Sequence, residues 1–227
     1  MTSAFPDNRT MGSRIGIAAV TVFRLAFAAL GAYTLGFACN TASTPPNGVG
    51  TLNFFSYFTI LSNISATVML AVGGLALLLG RRAGLPEGVR GAVTSYMVVT
   101  GIIYAVVLKQ DAEGQVVAWV DDMLHQVLPI VVFVDWLVVP PREPQRYSIV
   151  RYWLLFPIAF TAYSLIRGHY ANWYPYPFLD PRRNGYAHVT VECCVIAVAI
   201  VAICLALVWL GRLMGRRGWW RAPVSRS

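Results

Sequence analysis

Charge is scarce in this sequence. Only 12% of its 227 residues are Asp, Glu, Lys or Arg, against 57% that are hydrophobic. Soluble domains carry about 25% charged residues, so a water-exposed globule does not fit this composition. Lysine is nearly missing. Lys109 stands alone beside seventeen arginines, a bias in keeping with a GC-rich bacterial genome. The four cysteines, Cys39, Cys193, Cys194 and Cys204, lack the spacing of a metal-ligand set and read as small buried groups. Cys39 and Cys193 fall near the same predicted membrane face, where a disulfide can form. The three histidines, His125, His169 and His188, are dispersed, with no His-x-x-x-His pair. With Asp180 and Glu192 nearby they would make only a weak zinc-hydrolase pattern. No internal repeat, low-complexity segment or Gly-rich phosphate loop is present. No cofactor or metal is therefore expected.

What the chain does have is long apolar runs. Mean hydropathy is +0.58. Six stretches, near 15–38, 54–80, 89–108, 120–139, 149–168 and 188–211, approach the ~20 apolar residues that a spanning helix needs. They are continuous rather than alternating, which argues against a β-barrel. The expectation is an all-α bundle of six transmembrane helices over 15–211, with a segment 1–14 before it and a basic tail 212–227 after it. The first run is too long for the apolar core of a signal peptide and reads as an uncleaved span.

Loop charges set the expected orientation. Arg9, Arg14, Arg81, Arg82, Arg90, Arg142, Arg146, Arg151, Arg212, Arg216, Arg217, Arg221 and Arg226 share the side of the N-terminus, and only Lys109, Arg167, Arg182 and Arg183 share the other. Cytoplasmic loops collect Lys and Arg, so both termini are expected in the cytoplasm of a plasma-membrane protein. The net charge of +8 then belongs to membrane topology and does not indicate a nucleic-acid partner. Trp219-Trp220-Arg221 reads as an interfacial anchor. Pro45-Pro46-Asn47-Gly48 reads as a turn, and the loop with Asp111 and Glu113 as an acidic outer segment.

Polar residues inside apolar runs are costly and need partners. Arg24, in the first span, is expected to pair with Asp135 in the fourth. Arg167 and Glu192, near the outer ends of spans five and six, form a second expected pair, with Arg167 also suited to a carboxylate head group. Ser56, Thr59, Asn63 and Thr67 recur at helical spacing along the second span and make one polar stripe. His125 sits at a similar depth in the fourth span, ahead of Pro129. An imidazole beside a hydroxyl can act as base for a nucleophile. Asp121 or Asp122 would orient the ring, and Asn63 would donate to an oxyanion. The outer loop Trp173-Tyr174-Pro175-Tyr176-Pro177-Phe178-Leu179-Asp180 is dense in aromatics and proline, as a rigid lid would be. A channel or transporter lined by Arg24, Asp135, Arg167 and Glu192 is the competing reading.

The Phe-rich, hydroxyl-bearing start of span two, His125 followed by Val-Leu-Pro, and the Trp…Tyr-Pro-Phe-Leu-acid run at 173–180 resemble the androgen-induced membrane hydrolases and their bacterial six-span relatives. The resemblance implies cleavage of fatty acid esters of hydroxy fatty acids by a membrane-embedded Thr and His. It aligns Ser56 with the nucleophile, Thr59 being the alternative one turn deeper, and His125 with the base. It also implies that Trp173, Tyr176, Pro177 and Phe178 shape the substrate pocket, and that membrane lipids or fatty acid esters are the partners.

Overall fold

An apolar run satisfies its backbone without water only by closing into helix, and this chain does so along nearly its whole length. The computed structural model describes residues 8–44, 49–81, 84–108 and 117–214, among which there is no strand. The turn at 45–48, the acidic loop residues Asp111 and Glu113, and the tail with Trp219 and Trp220 lie outside the described residues. Helix α1 runs Asn8–Ser43 and the short α2 runs Thr51–Phe54. They are followed by α3, Phe58–Leu78, and by α4, Glu87–Ile103, which continues as a π-helical turn Tyr104–Leu108. Next come α5, Ala118–Asp122, a second π-helical turn Met123–Val127, and α6, Leu128–Val138. Helix α7, Val150–Trp153, leads into α8, Leu155–Ala171, and α9 spans Pro181–Met214.

Among the described residues, five segments are long and apolar enough to cross a membrane: Arg14–Ser43, Phe58–Leu78, Glu87–Leu108, Tyr147–Ala171 and Pro181–Met214. The run at 120–139 is not among these five segments; it is helical from Ala118 to Val138, with a π turn set between α5 and α6. Pro129 supplies the physical reason. It has no N–H to give the His125 carbonyl, so the ordinary helical ladder is interrupted where the backbone widens. The outer surface is apolar. Val191, Val195, Val198, Leu205 and Trp209 form an exposed stripe down α9, a face suited to lipid rather than water.

The interior divides into two clusters. One gathers Ala28, Met69, Leu70, Met97, Leu128 and Val132 from α1, α3, α4 and α6. The other gathers Val99, Trp136, Trp153, Phe160, Cys204 and Val208 around α4, α6, α7, α8 and α9. Cys39 packs on the first cluster and Cys193 on the second, and both are free, so the disulfide that their predicted placement allows is not formed. Gly91 admits Trp153 at a separation that leaves no room for a side chain: an added Cβ would lie 2.2 Å from the indole.

Buried charge ties the first cluster together. Arg24 Nε donates to Asp135 Oδ1 at 2.6 Å and Arg24 Nη2 to Oδ2 at 3.0 Å. Arg90 Nη2 reaches the same carboxylate at 3.1 Å and the Val139 carbonyl at 2.8 Å, while its Nη1 holds Glu87 at 2.9 Å. Arg90, expected among the loop charges, is therefore buried. One carboxylate fastens α1, α4 and α6. Removing one partner of a buried ion network strands the others, at a cost of about 3–5 kcal/mol. Asp135→Ala is expected to lose stability of that order in reversible detergent unfolding, and a loss below about 1 kcal/mol would contradict this account.

Candidate functional site

The chain leaves α2 at Phe55 and restarts as α3 at Phe58, with Tyr57 extended between them. This break separates two hydroxyls that were expected on one helical stripe. Ser56 sits in the turn, where its Oγ donates to the Leu52 carbonyl at 2.8 Å and lies 2.9 Å from the Tyr163 hydroxyl. Thr59 begins the new helix and faces inward, 7% exposed. Its Oγ1 lies 3.2 Å from His125 Nε2.

His125 occupies the π turn between α5 and α6, and its ring is held from three directions. Nδ1 lies 2.9 Å from Asp121 Oδ1 and 3.1 Å from the Asp121 carbonyl oxygen. The Tyr104 ring stacks on the imidazole, with centroids 4.1 Å apart and planes within 13°. The Tyr104 hydroxyl in turn donates to Asp121 Oδ2. With the Nδ1 proton directed to Asp121, Nε2 presents its lone pair to the Thr59 hydroxyl. The result is a Thr–His–Asp line, assembled from α3, α5 and the π turn, with Tyr104 of the α4 extension behind it. Tyr104 has no telling signal in the sequence, because an aromatic near the end of an apolar run reads as an interfacial belt residue. Asp122, the other acid considered for the ring, instead accepts from Gln126 at 2.6 Å.

Asn63 is fully buried, but it is not free to donate to a substrate. Its Nδ2 donates to the Thr59 carbonyl at 2.8 Å and to the Leu124 carbonyl at 3.1 Å. It therefore joins the start of α3 to the π turn. The expectation of an oxyanion donor at Asn63 is corrected to a strut that holds the threonine and histidine segments together.

The loop at 172–180 folds inward over the same end of the bundle. Tyr176 is 8% exposed. Its hydroxyl accepts from the Thr59 N–H at 3.2 Å and lies 3.4 Å from Thr59 Oγ1. Burial pushes the Tyr176 phenol up to about 12, despite its hydrogen bonds to Thr59. Phe178 stacks on the Tyr176 ring, and Trp173 packs edge-on against Tyr57. Asp180 bonds Arg182, which holds the carboxyl below its ordinary range.

Thr59, Tyr176 and Phe178 share the wall of a cavity of about 590 Å³. Its remaining lining comes mostly from apolar residues of α8 and α9, among them Pro157, Leu165, Ala197 and Ile200. The size falls within the ~300–1,000 Å³ of ligand pockets. A smaller cavity of about 180 Å³ shares Leu108 and Phe178 with it and adds Pro177, Arg183, His188 and Glu192.

The remaining expected charge contacts regroup. Arg167 donates to Asn53 Oδ1 at 2.7 Å and covers the Trp173 ring at 5.1 Å. Glu192 lies 3.4 Å from His188 Nε2 on its own helix. The expected Arg167–Glu192 pair is thus replaced by two separate contacts. Arg24 and Asp135, Arg167, and Glu192 occupy three different environments rather than one line. Among the described residues, no three His, Cys, Asp or Glu side chains gather as a metal site. No protein-family model, curated protein or solved structure matches the chain.

If Asn63 is a strut, its loss is structural. Asn63→Leu is expected to lower stability by about 1–3 kcal/mol, since it leaves the Leu124 carbonyl without this donor. Thermal unfolding in detergent measures the effect. An unchanged midpoint would show that the strut carries no weight.

Proposed function

We propose that this chain is a membrane-embedded hydrolase of lipid esters, with Thr59 as nucleophile and His125 as its base. The observation that carries the reading is the 3.2 Å contact between Thr59 Oγ1 and His125 Nε2 at the wall of a large apolar cavity. A threonine hydroxyl is a poor nucleophile until a neighbouring base takes its proton. His125 is oriented for this by Asp121 on its far nitrogen. In the first half-reaction Thr59 Oγ1 bonds to the acyl carbon and its proton passes to Nε2. The bond to the alcohol then breaks as the imidazole returns that proton to the leaving oxygen. Water, activated by the same imidazole, releases the acid and restores the threonine.

The cavity fits the acyl part of such a substrate. It lies between α8 and α9, whose outer faces are apolar, so a chain would reach Thr59 from the lipid side. The resemblance to the androgen-induced membrane hydrolases rests on the same residues and supports fatty acid esters as the substrate class. Of the two hydroxyls that resemblance allows, the reading takes Thr59, because Ser56 bonds Leu52 and Tyr163. In this reading the α5–α6 segment completes a sixth crossing of the plasma membrane. The Arg-rich loops keep both termini in the cytoplasm. The Thr59–His125 pair then lies toward the outer face. The Arg24–Asp135 pair lies roughly 15 Å deeper, by the ~1.5 Å rise per residue from His125 to Asp135.

Labelling of detergent-purified protein with a fluorophosphonate tests the reading. Labelling is expected in the wild type and in Ser56→Ala. It should be absent in Thr59→Ala and at least ~100-fold slower in His125→Ala, the usual size of a general-base effect. Equal labelling of Thr59→Ala and wild type would refute it. The cavity assignment makes a separate claim about chain length. Ala197→Trp narrows the cavity, so hydrolysis of a palmitoyl ester should fall relative to a butyryl ester. At about 0.8 kcal/mol per buried CH₂, displacing two methylenes gives roughly a 10-fold change in that ratio. An unchanged ratio would place the acyl chain elsewhere.

A further inference from the structure

Ester cleavage by a hydroxyl and an imidazole leaves one charge without an evident partner. When Thr59 attacks, the carbonyl π pair moves onto oxygen, and in an apolar cavity that oxyanion needs a hydrogen-bond donor. Asn63 cannot supply one, since its amide hydrogens are given to two carbonyls. Two other hydroxyls in the cavity wall are similarly committed. Thr161 donates to the Pro157 carbonyl at 2.9 Å and Thr190 to the Tyr186 carbonyl at 2.8 Å.

We propose that the Tyr176 hydroxyl is the donor that stabilises this oxyanion, a role that rests on the Thr59–His125 reading above. Its oxygen lies 3.4 Å from Thr59 Oγ1, so it borders the place where the acyl carbon must sit. That oxygen already accepts the Thr59 N–H at 3.2 Å. An accepted N–H polarises the phenol and leaves its own hydrogen to be directed toward a ligand. The ring cannot easily swing away. Phe178 lies parallel to it at 5.2 Å, Tyr57 meets it edge-on at 5.7 Å, and Phe160 closes the third side at 6.2 Å. With its pKa raised to about 12, the phenol keeps its proton at neutral pH and remains a donor. The inward fold of the 172–180 loop thereby acquires a chemical role. The loop covers the threonine and also carries a group to the side of Thr59 that faces the reacting carbonyl.

The balance of the step is simple. The Thr59 proton goes to His125, the carbonyl π electrons go to oxygen, and Tyr176 shares its hydrogen with that oxygen without transferring it. When the tetrahedral centre collapses, the pair returns and the alcohol leaves with the proton from His125. Thr100 Oγ1 is the rival donor, since it lines the same cavity and has no hydrogen-bond partner among the described residues.

The test compares hydrolysis of a p-nitrophenyl ester and its thionoester by wild type, Tyr176→Phe, Thr100→Val and Thr59→Ala in detergent. Tyr176→Phe keeps the stacked ring and removes only the hydroxyl. It is expected to lower kcat about 100-fold with little change in KM. It should also shrink the preference for the oxygen ester over the thionoester, because sulfur accepts hydrogen bonds poorly. Thr100→Val changes a residue of the cavity wall, but it is expected to leave the preference for the oxygen ester over the thionoester unchanged. Equal losses on both substrates would make Tyr176 a structural prop and overturn its role as donor. So would full activity in Tyr176→Phe, or the loss appearing in Thr100→Val instead. In each of those cases an inactive Thr59→Ala leaves the hydrolase reading standing. A wild type that cleaves no ester, or an active Thr59→Ala, overturns the hydrolase reading itself.

Discussion

A carboxylate inside an apolar bundle must be neutralised where it stands, and in this protein Asp135 imposes that condition on three helices at once. Arg24 comes from α1 and Arg90 from α4, and both converge on the carboxylate of α6. The bidentate grip of Arg24 fixes distance and orientation together. Such a network contributes less to net stability than to specifying one arrangement, because desolvation offsets much of its attraction. Its value here is register. With α6 fixed against α1 and α4 at one end, the depth of the segment leading into it is set, and His125 lies on that segment.

At the other end the same segment departs from regular helix. Pro129 interrupts the ladder, and the π turn at Met123–Val127 carries His125. A second π turn at Tyr104–Leu108 places Tyr104 against that ring. Widened turns concentrate at functional sites because they re-aim side chains that an ideal helix would place elsewhere. The break at Phe55–Tyr57 has a similar effect on the opposing side of the site. It removes Ser56 from the stripe and starts a helix whose first turn holds Thr59. Three local irregularities thus meet at one point, two of them bridged by the carbonyl contacts of Asn63.

The chemistry of that point follows from its surroundings. An imidazole with one nitrogen on an acid and the other on a hydroxyl resembles the serine-hydrolase arrangement in roles, whatever the fold. The aromatic loop covers one side of the site, and an apolar cavity borders it on the other. A buried hydroxyl at the wall of an apolar cavity favours the proposed ester cleavage over ion conduction. Conduction would call for polar groups in a row, whereas the buried charges here are paired and far from Thr59.

Much of this was legible from composition and spacing. Hydropathy located the apolar runs to within a few residues, and the cost of isolated charge in lipid paired Arg24 with Asp135. The polar pattern brought Thr59, Asn63, Asp121 and His125 under suspicion together. What stayed hidden depended on breaks in regular structure. A strict helical stripe put Ser56 beside Thr59 and made Asn63 a donor toward substrate. The loop-charge count placed Arg90 outside the bundle, and no pattern singled out Tyr104. Hydropathy and periodicity are relations among near neighbours, so the sequence by itself determined where helices form and which of their residues need partners. The contact between Thr59 and His125 joins positions 66 residues apart. It depends on where two helices break and how they pack, and only the tertiary structure decided which hydroxyl meets the imidazole.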